Sequence, residues 1–77
     1  MDFPSLKAQK LLRVLLREPL GYEIVSQNGS HRKLESKNGY PNLGFSFHDG
    51  VKVPGGAAKK ILVKDVRLDE NEARELL

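Results

Sequence analysis

Hydrophobic residues near the start of the chain recur at the three- and four-residue spacing of one helix face. They are Ala8, Leu11, Leu12, Leu15 and Leu16. The pattern predicts an amphipathic helix over residues 5–18. Ser5 is suited to the N-cap position. Pro19 ends the helix, because the residue before a proline avoids the helical conformation.

The middle of the chain changes to three strand-like stretches, which are residues 22–27, 31–36 and 43–48. The last stretch alternates between apolar and small or polar residues, which places Phe47 toward a core and His48 on the opposite face. Asn28-Gly29 and Asn38-Gly39 separate the stretches, and Asn-Gly favours the positive φ angles of tight hairpin turns. We therefore predict a three-stranded antiparallel meander whose apolar face is covered by helices.

The C-terminal third returns to a helical pattern after the break at Pro54-Gly55-Gly56. A second helix is predicted over residues 57–66, with one apolar face made by Ala58, Ile61, Leu62 and Val66. Asp69 and Glu72 have the spacing of a capping box and predict a short third helix. The order helix, three strands, helix, short helix defines an α+β fold, in a single domain over residues 1–77.

Composition narrows the class of protein. A chain of 77 residues buries only a small core, and its sequence holds no apolar run of the roughly 18 residues that a membrane span needs. We therefore expect no membrane association. The sequence contains no cysteine, which excludes disulfides, thiolate catalysis and cysteine-based zinc sites. The composition suits a reducing compartment, so we expect a cytoplasmic protein.

Charge is distributed unevenly. Residues 1–64 carry eleven basic and five acidic side chains, and residues 65–77 carry two and five, so the net charges are +6 and −3 and sum to +3. On the predicted first helix Lys7, Lys10, Arg13 and Arg17 follow one another at helical spacing, and we call these four residues the basic ridge. A basic body favours a polyanionic partner such as nucleic acid, although a solvated helix face gives the same pattern.

Candidate chemistry centres on two histidines. His31 follows Gly29 and Ser30 at the start of a predicted strand, where alternation places it on one face with Lys33. An imidazole exchanges protons near neutral pH, a lysine stabilises charge on phosphate oxygens, and a glycine-serine turn offers backbone amides and a hydroxyl to a phosphate. A surface histidine without a role fits the same pattern.

A metal site is a weaker interpretation of the same histidines. It would need His31, His48 and Asp49 together, and two histidines seventeen positions apart on separate strands are a poor metal signature. The sequence also has no P-loop, no HExxH and no nucleophile elbow. We therefore expect no metal and no cofactor.

Several short motifs together resemble one known family. In order they are Gly21-Tyr22, Gly29-Ser30-His31, His48 and a lysine-rich helix that contains Ile61-Leu62. Their order and spacing are similar to those of the HicA toxins, the mRNA interferases of HicA/HicB toxin–antitoxin systems. The similarity covers residues 5–77.

The resemblance implies a fold and a function. It implies a double-stranded-RNA-binding-domain-like fold with helices on one face of the sheet. It also implies metal-independent endoribonuclease activity on mRNA, with His31 as the essential histidine and His48 as a secondary group. It implies a HicB-type antitoxin that covers His31, and no DNA binding by the toxin itself. The expected RNA contacts are Lys7, Lys10, Arg13, Arg17, Gly29, Ser30, Lys33, Lys59 and Lys60.

Two other functions stay open on the residues alone. The first is a non-catalytic RNA-binding module, because domains of this expected fold bind RNA through phosphate and 2′-hydroxyl contacts without cutting it. The second is a protein-binding domain whose basic ridge docks an acidic partner. A histidine at the glycine-serine turn favours the catalytic interpretation, since a simple binder would favour lysine or arginine there.

Overall fold

The predicted meander is present in the computed structural model, which describes residues 3–77; Met1 and Asp2 of the predicted domain lie outside these residues. Three strands, β2 (Tyr22–Asn28), β3 (His31–Ser36) and β4 (Leu43–Phe45), form an antiparallel sheet in the order β2-β3-β4. The described residues also form three helices and a two-stranded sheet, so the α+β class and the predicted order of the main elements are confirmed.

The hairpin between β2 and β3 is tight, but its turn lies one residue later than predicted. Asn28 and His31 are directly paired, so Gly29 and Ser30 are the two loop residues. Gly29 adopts φ +64°, a left-handed conformation that glycine reaches without steric cost. The turn therefore places His31 at the first position of β3.

The edge strand β2 carries a β-bulge. Ile24 pairs with Leu34 and Ser26 with Lys33, which leaves Val25 as the extra residue. From Glu23 to Asn28 the strand is exposed, and Ile24 and Val25 remain 41% and 51% exposed. Only the start of β2, at Tyr22, is buried in the core.

The first helix is shorter than predicted, and its N-cap assignment was wrong. Leu6–Lys7 form a short strand, β1, that pairs antiparallel with β5 (Lys52–Val53), and helix α1 spans Ala8–Leu16. Ser5 is therefore two residues before the N-cap position, which Lys7 occupies without a side-chain cap. Backbone pairing with a segment distant in sequence replaces the helical turn that the local pattern favoured.

The third strand of the meander also ends earlier than predicted, at Phe45. Beyond it the chain leaves the sheet, and the Arg32 guanidinium contacts both the Phe47 carbonyl oxygen (3.5 Å) and the Asp49 carboxylate (3.0 Å). Phe47 still packs against the core, with its ring centroid 5.7 Å from that of Phe45. His48 is exposed and lies outside the strand.

The second helix begins within the predicted break. Pro54 is its N-cap residue, α2 spans Gly55–Lys59, and the helix continues as a π-helical stretch over Lys60–Asp65. A third helix, α3, spans Glu70–Leu76 after Asp69, whose side chain makes no cap hydrogen bond. The predicted capping residue is thus at the right position without the predicted contact.

One core joins the helices to one face of the sheet. Its members are Phe3, Ala8, Leu11, Leu15, Leu20, Tyr22, Leu34, Leu43, Phe45, Val53, Ala58, Ile61, Leu62, Val66, Leu68 and Ala73. All four residues of the predicted apolar face of the second helix are buried. On α1 the predicted stripe was wrong at one position, because Leu16 is 38% exposed whereas Val14 is 3% exposed. No helix among residues 3–77 is long and apolar enough to cross a membrane.

Candidate active site

The sheet has one uncovered face, which we call the open face. Leu34 points into the core, so its neighbours His31, Lys33 and Glu35 point the other way. Residues directly paired across strands share a face, which adds four more positions. The open face therefore comprises Glu23, Ser26, Asn28, His31, Lys33, Glu35 and Gly44, and each of them is exposed.

His31 lies in a cleft at the hairpin end of the open face. The cleft has a volume of about 420 Å³, and the residues that line it include Ser26, Asn28, His31, Lys33, Gly44 and Ser46. The imidazole is exposed, so a polynucleotide in solvent can reach it. The predicted juxtaposition of His31 and Lys33 on one face is therefore present.

The floor of this cleft depends on a residue without a side chain. Gly44 pairs directly with Lys33, and a Cβ built at Gly44 meets no atom within 4 Å. The Cβ position of Gly44, across from Lys33, is consequently open space. Gly44 and Ser46 were not among the predicted site residues, although strand alternation already placed both opposite Phe45.

Arg32, the residue after His31, anchors the opposite face of β3 through its guanidinium group. Its side chain is 11% exposed and its guanidinium binds Asp49 at 3.0 Å, on the face of β3 opposite His31. The same guanidinium donates to the Phe47 carbonyl oxygen. These contacts tie the tip of the hairpin to the segment after β4, so that the backbone carrying His31 is braced.

His48 does not join His31. It is exposed in the segment after β4 and does not line the His31 cleft. It was predicted to lie on the sheet face opposite Phe45 and Phe47, and that placement was wrong because β4 ends before it. His48 is therefore not among the residues that line the cleft of the candidate catalytic group.

The basic ridge forms part of a groove. Lys7, Lys10 and Arg13 line a groove of about 420 Å³ together with Lys52, and none of the acidic residues within 3–77 lines it. Lys7 and Lys52 are directly paired across β1 and β5, so two ammonium-bearing residues face each other. Lys52 was not among the predicted contacts, because nothing in the local pattern of residues indicates that β5 pairs with β1.

One end of this groove lies at the His31 end of the sheet. The Gln9 amide donates to the Asp49 carbonyl oxygen (3.3 Å), and the Asp49 carboxylate binds Arg32, the neighbour of His31. Arg17 is at the far end of α1, where its guanidinium donates to the Leu76 carbonyl oxygen (3.0 Å). Arg17 is therefore the one member of the basic ridge that does not line this groove among residues 3–77.

The two predicted lysines of the second helix differ in availability. Lys59 Nζ binds Glu70 Oε1 at 2.7 Å and lies 6.0 Å from the centre of the Phe3 ring. The hydrogen bond and the positive charge of Lys59 lower the pKa of the Glu70 carboxyl. Lys60 is exposed too, and both lysines line a separate cleft with Lys64. Of the two, Lys59 is the one whose ammonium group already has a carboxylate partner.

No group of three or more histidine, aspartate or glutamate side chains within residues 3–77 is arranged to hold a metal ion. The chain matches no protein-family model, no curated protein and no solved structure. The geometry itself offers an exposed imidazole and an ammonium group on one open sheet face, with a basic groove that reaches the same end of the sheet.

Proposed function

We propose that this chain is a metal-independent endoribonuclease that cleaves mRNA, and the toxin of a toxin–antitoxin pair similar to HicA/HicB. The observation that carries the proposal is the exposed His31 at the first position of β3, in a cleft shared with Lys33. The helix–sheet–helix order is compatible with a double-stranded-RNA-binding-domain-like fold, which we include in the proposal.

The proposed reaction uses the ribose 2′-hydroxyl as the nucleophile. His31 takes the 2′-hydroxyl proton as general base while the 2′-oxygen bonds to phosphorus. The bond from phosphorus to the 5′-oxygen breaks, and that oxygen receives a proton as it leaves. The products are a 2′,3′-cyclic phosphate and a 5′-hydroxyl, so no oxidant and no metal-bound water is needed for the atoms to balance.

A single imidazole fills only one of the two proton-transfer roles in one turnover. Lys33 lines the same cleft, and its proposed role is to stabilise charge that develops on the phosphate oxygens. Solvent water reaches the open cleft and is the proposed proton donor to the leaving oxygen. We therefore expect modest turnover, with the positioned histidine contributing about 10²–10⁴-fold.

Phosphate binding is proposed to extend beyond the cleft. The Gly29 amide and the Ser30 amide and hydroxyl lie at the turn beside His31, and Lys7, Lys10 and Arg13 lie in the basic groove with Lys52. Contacts of this kind give affinity that falls with salt and carries little sequence information. Lys59 is a lesser contributor than Lys60, because Glu70 already neutralises its charge.

The central test is the His31→Ala variant with His48→Ala as its matched control. Both histidines are exposed, but only His31 lines the cleft. We expect single-turnover cleavage of RNA to fall about 10²–10⁴-fold for His31→Ala and to change little for His48→Ala. Unchanged cleavage by a folded His31→Ala protein would show that the histidine is not catalytic.

Two further measurements define the reaction class. An RNA with a single 2′-deoxynucleotide at the cleavage site should resist cutting there, because the nucleophile is missing. Cleavage in the presence of chelator should continue. Intact RNA recovered after salt-sensitive binding to the wild-type protein would instead identify a non-catalytic RNA-binding module.

Control of such an enzyme requires that His31 be covered. We propose that a HicB-type antitoxin, the product of an adjacent reading frame, buries the hairpin tip and keeps the enzyme silent in the cytoplasm. In the complex, His31 should be protected from diethylpyrocarbonate, whereas it reacts in the free protein. Equal modification of His31 in the two forms would contradict this mode of inhibition.

A further inference from the structure

A second cleft adjoins the His31 cleft on the open face. It has a volume of about 320 Å³, and Val25, Lys33, Glu35, Asn42 and Gly44 are among the residues that line it. Lys33 and Gly44 line both clefts, so the two clefts adjoin each other along β3 and β4, and together we call them the depression. A ligand that places its phosphate beside His31 and Lys33 can extend its base along β3 into this second cleft.

The separation of the two clefts suits one nucleotide. His31 and Glu35 are four residues apart on β3, so their Cα atoms are roughly 13 Å apart and their side chains point the same way. A nucleotide lying across Lys33 and Gly44 bridges that distance, with its phosphate near His31 and the outer edge of its base near Glu35. The missing side chain at Gly44 leaves a flat stretch of backbone under the base.

The polar groups at the far end of the second cleft differ in the hydrogen bonds that they can make. Glu35 supplies an acceptor-only carboxylate, and Asn42 supplies an amide with both donor and acceptor atoms. Glu35 is paired directly with Glu23 across β2 and β3, and neither carboxylate has an ion-pair partner within residues 3–77. Like charges opposite each other destabilise a strand pair, so nothing in the fold itself requires a carboxylate at position 35.

The chemistry of a carboxylate selects among the four bases. Guanine presents two adjacent donors, N1–H and the 2-amino group, on its Watson–Crick edge, and one carboxylate accepts both. Adenine and cytosine place a ring nitrogen acceptor beside their amino group, and uracil flanks its single N–H with two carbonyl oxygens. An acceptor-only group is therefore matched by guanine and repelled in part by the other three bases.

We infer that this second cleft is a base-recognition subsite for guanine, adjacent to the phosphate that His31 acts on, with Glu35 as its specificity-determining residue. The inference rests on the proposed ribonuclease function for its biological substrate. The cleft and its carboxylate remain a binding site for guanine nucleotides whether or not His31 cleaves RNA.

The first test measures binding alone. Wild-type protein is titrated with the 3′-monophosphates of guanosine, adenosine, cytidine and uridine, which share one phosphate, and backbone amide signals are followed by NMR. We expect the guanosine nucleotide to bind at least about tenfold more tightly than the others and to shift the signals of Glu35, Asn42 and Gly44. Equal affinity for the four nucleotides, or shifts confined to other residues, would overturn the inference.

The matched pair of variants is Glu35→Gln and Glu23→Gln. Each removes one charge of the same cross-strand pair, but only Glu35 lines the cleft. Glu35→Gln should lose the guanine preference by about tenfold or more, since an amide replaces one of the two acceptors with a donor. Glu23→Gln should keep it. Equal losses in the two variants would assign the effect to the strand pair rather than to base recognition.

The second test measures cleavage of oligouridylates that carry one internal adenosine, cytidine, guanosine or uridine. The guanosine-containing RNA should be cut faster by the wild type, beside the guanosine, and this advantage should disappear in Glu35→Gln. Equal cutting of all four RNAs would support the proposed nuclease activity and contradict the guanine subsite. Selective binding of the guanosine nucleotide without any cutting of RNA would contradict the nuclease activity and support the guanine subsite.

Discussion

The two faces of the three-stranded sheet differ in burial and in the kind of side chain they carry. On the core face Leu34, Leu43 and Phe45 are 8% exposed or less, and helices cover them. On the open face the alternate positions of the same strands are exposed and polar, and they include two glutamates paired with each other. The core face therefore carries the stability of the domain, while the open face has side chains that stability alone does not select.

The largest expected effect on stability comes from the core face. Leu34→Ala removes a side chain that is 1% exposed at the centre of β3. We expect it to lower the free energy of unfolding by about 2–5 kcal/mol, through lost burial and the cavity that remains. Urea denaturation followed by circular dichroism measures the change.

The neighbouring residue on the open face provides the control. Lys33→Ala, one position away on the same strand, should change the free energy of unfolding by no more than about 0.5 kcal/mol. Equal losses for the two variants would mean that the open face is covered in solution and that the division between the faces is wrong.

The next effect concerns the open face alone. Gly44→Val adds a side chain where a Cβ meets no atom within 4 Å, and valine is favoured in strands. The fold should be kept, but the branched side chain occupies the depression that the two clefts form. We expect RNA cleavage to fall about ten- to a hundredfold, because the nucleotide is displaced from His31.

A glycine outside the sheet provides the control, which distinguishes a blocked nucleotide-binding site from a general effect of replacing glycine on cleavage. Gly50 also has open space around its Cβ position, but it lies in the turn after His48. Gly50→Ala should leave cleavage unchanged. A Gly44→Val protein that cleaves RNA at the wild-type rate would show that the reaction does not take place in this depression.

Much of the core face could be predicted from the sequence, because hydrophobic periodicity reports burial directly. The bounds of β3 and the inward direction of Leu34 follow from alternation. The buried face of the second helix follows from its helical spacing. These features are local, so a short window of sequence contains their cause.

The remaining features depend on contacts between distant residues. The β1–β5 pair joins two-residue strands 47 positions apart at Leu6 and Val53, and two residues have no detectable periodicity. That pairing shortens α1 and brings Lys52 to the basic ridge. The loop over residues 37–42 is too long to fix the register of β4 as a two-residue turn would, so the pairing of Gly44 with Lys33 could not be predicted.

A smaller expected effect is a pH dependence of stability that comes from Tyr22, the buried first residue of β2. Its hydroxyl donates to the Pro41 carbonyl oxygen at 2.6 Å, and burial raises the pKa of the phenol to about 12, with Tyr40 and Asp65 adding to the rise. In the unfolded chain the phenol ionises near pH 10, so the unfolded state binds fewer protons between pH 10 and 12. Stability should therefore fall as the pH rises through this window.

The Tyr22→Phe variant isolates that contribution. It should lose about 1 kcal/mol at neutral pH with the hydrogen bond, and its stability should decline less between pH 10 and 12. Tyr40→Phe should keep most of the decline, because burial of Tyr22 is the larger cause. Parallel pH profiles for the wild type and Tyr22→Phe would contradict this assignment.

The smallest expected effect is a gain, and it lies on the open face. Glu23→Gln and Glu35→Gln each remove the repulsion between paired carboxylates, so each should raise the free energy of unfolding by about 0.2–0.5 kcal/mol at low salt. The double variant should gain no more than either single variant, since one repulsive pair is removed only once. Added salt should shrink the gains, because exposed charges are screened.

A double-mutant cycle by urea denaturation at two ionic strengths measures this coupling. Additive gains, or gains that do not change with salt, would mean that the two carboxylates do not repel each other and that position 35 costs the fold nothing. A coupled and salt-sensitive gain, together with loss of guanine preference in Glu35→Gln alone, would mean that the open face keeps a destabilising carboxylate for the base it recognises.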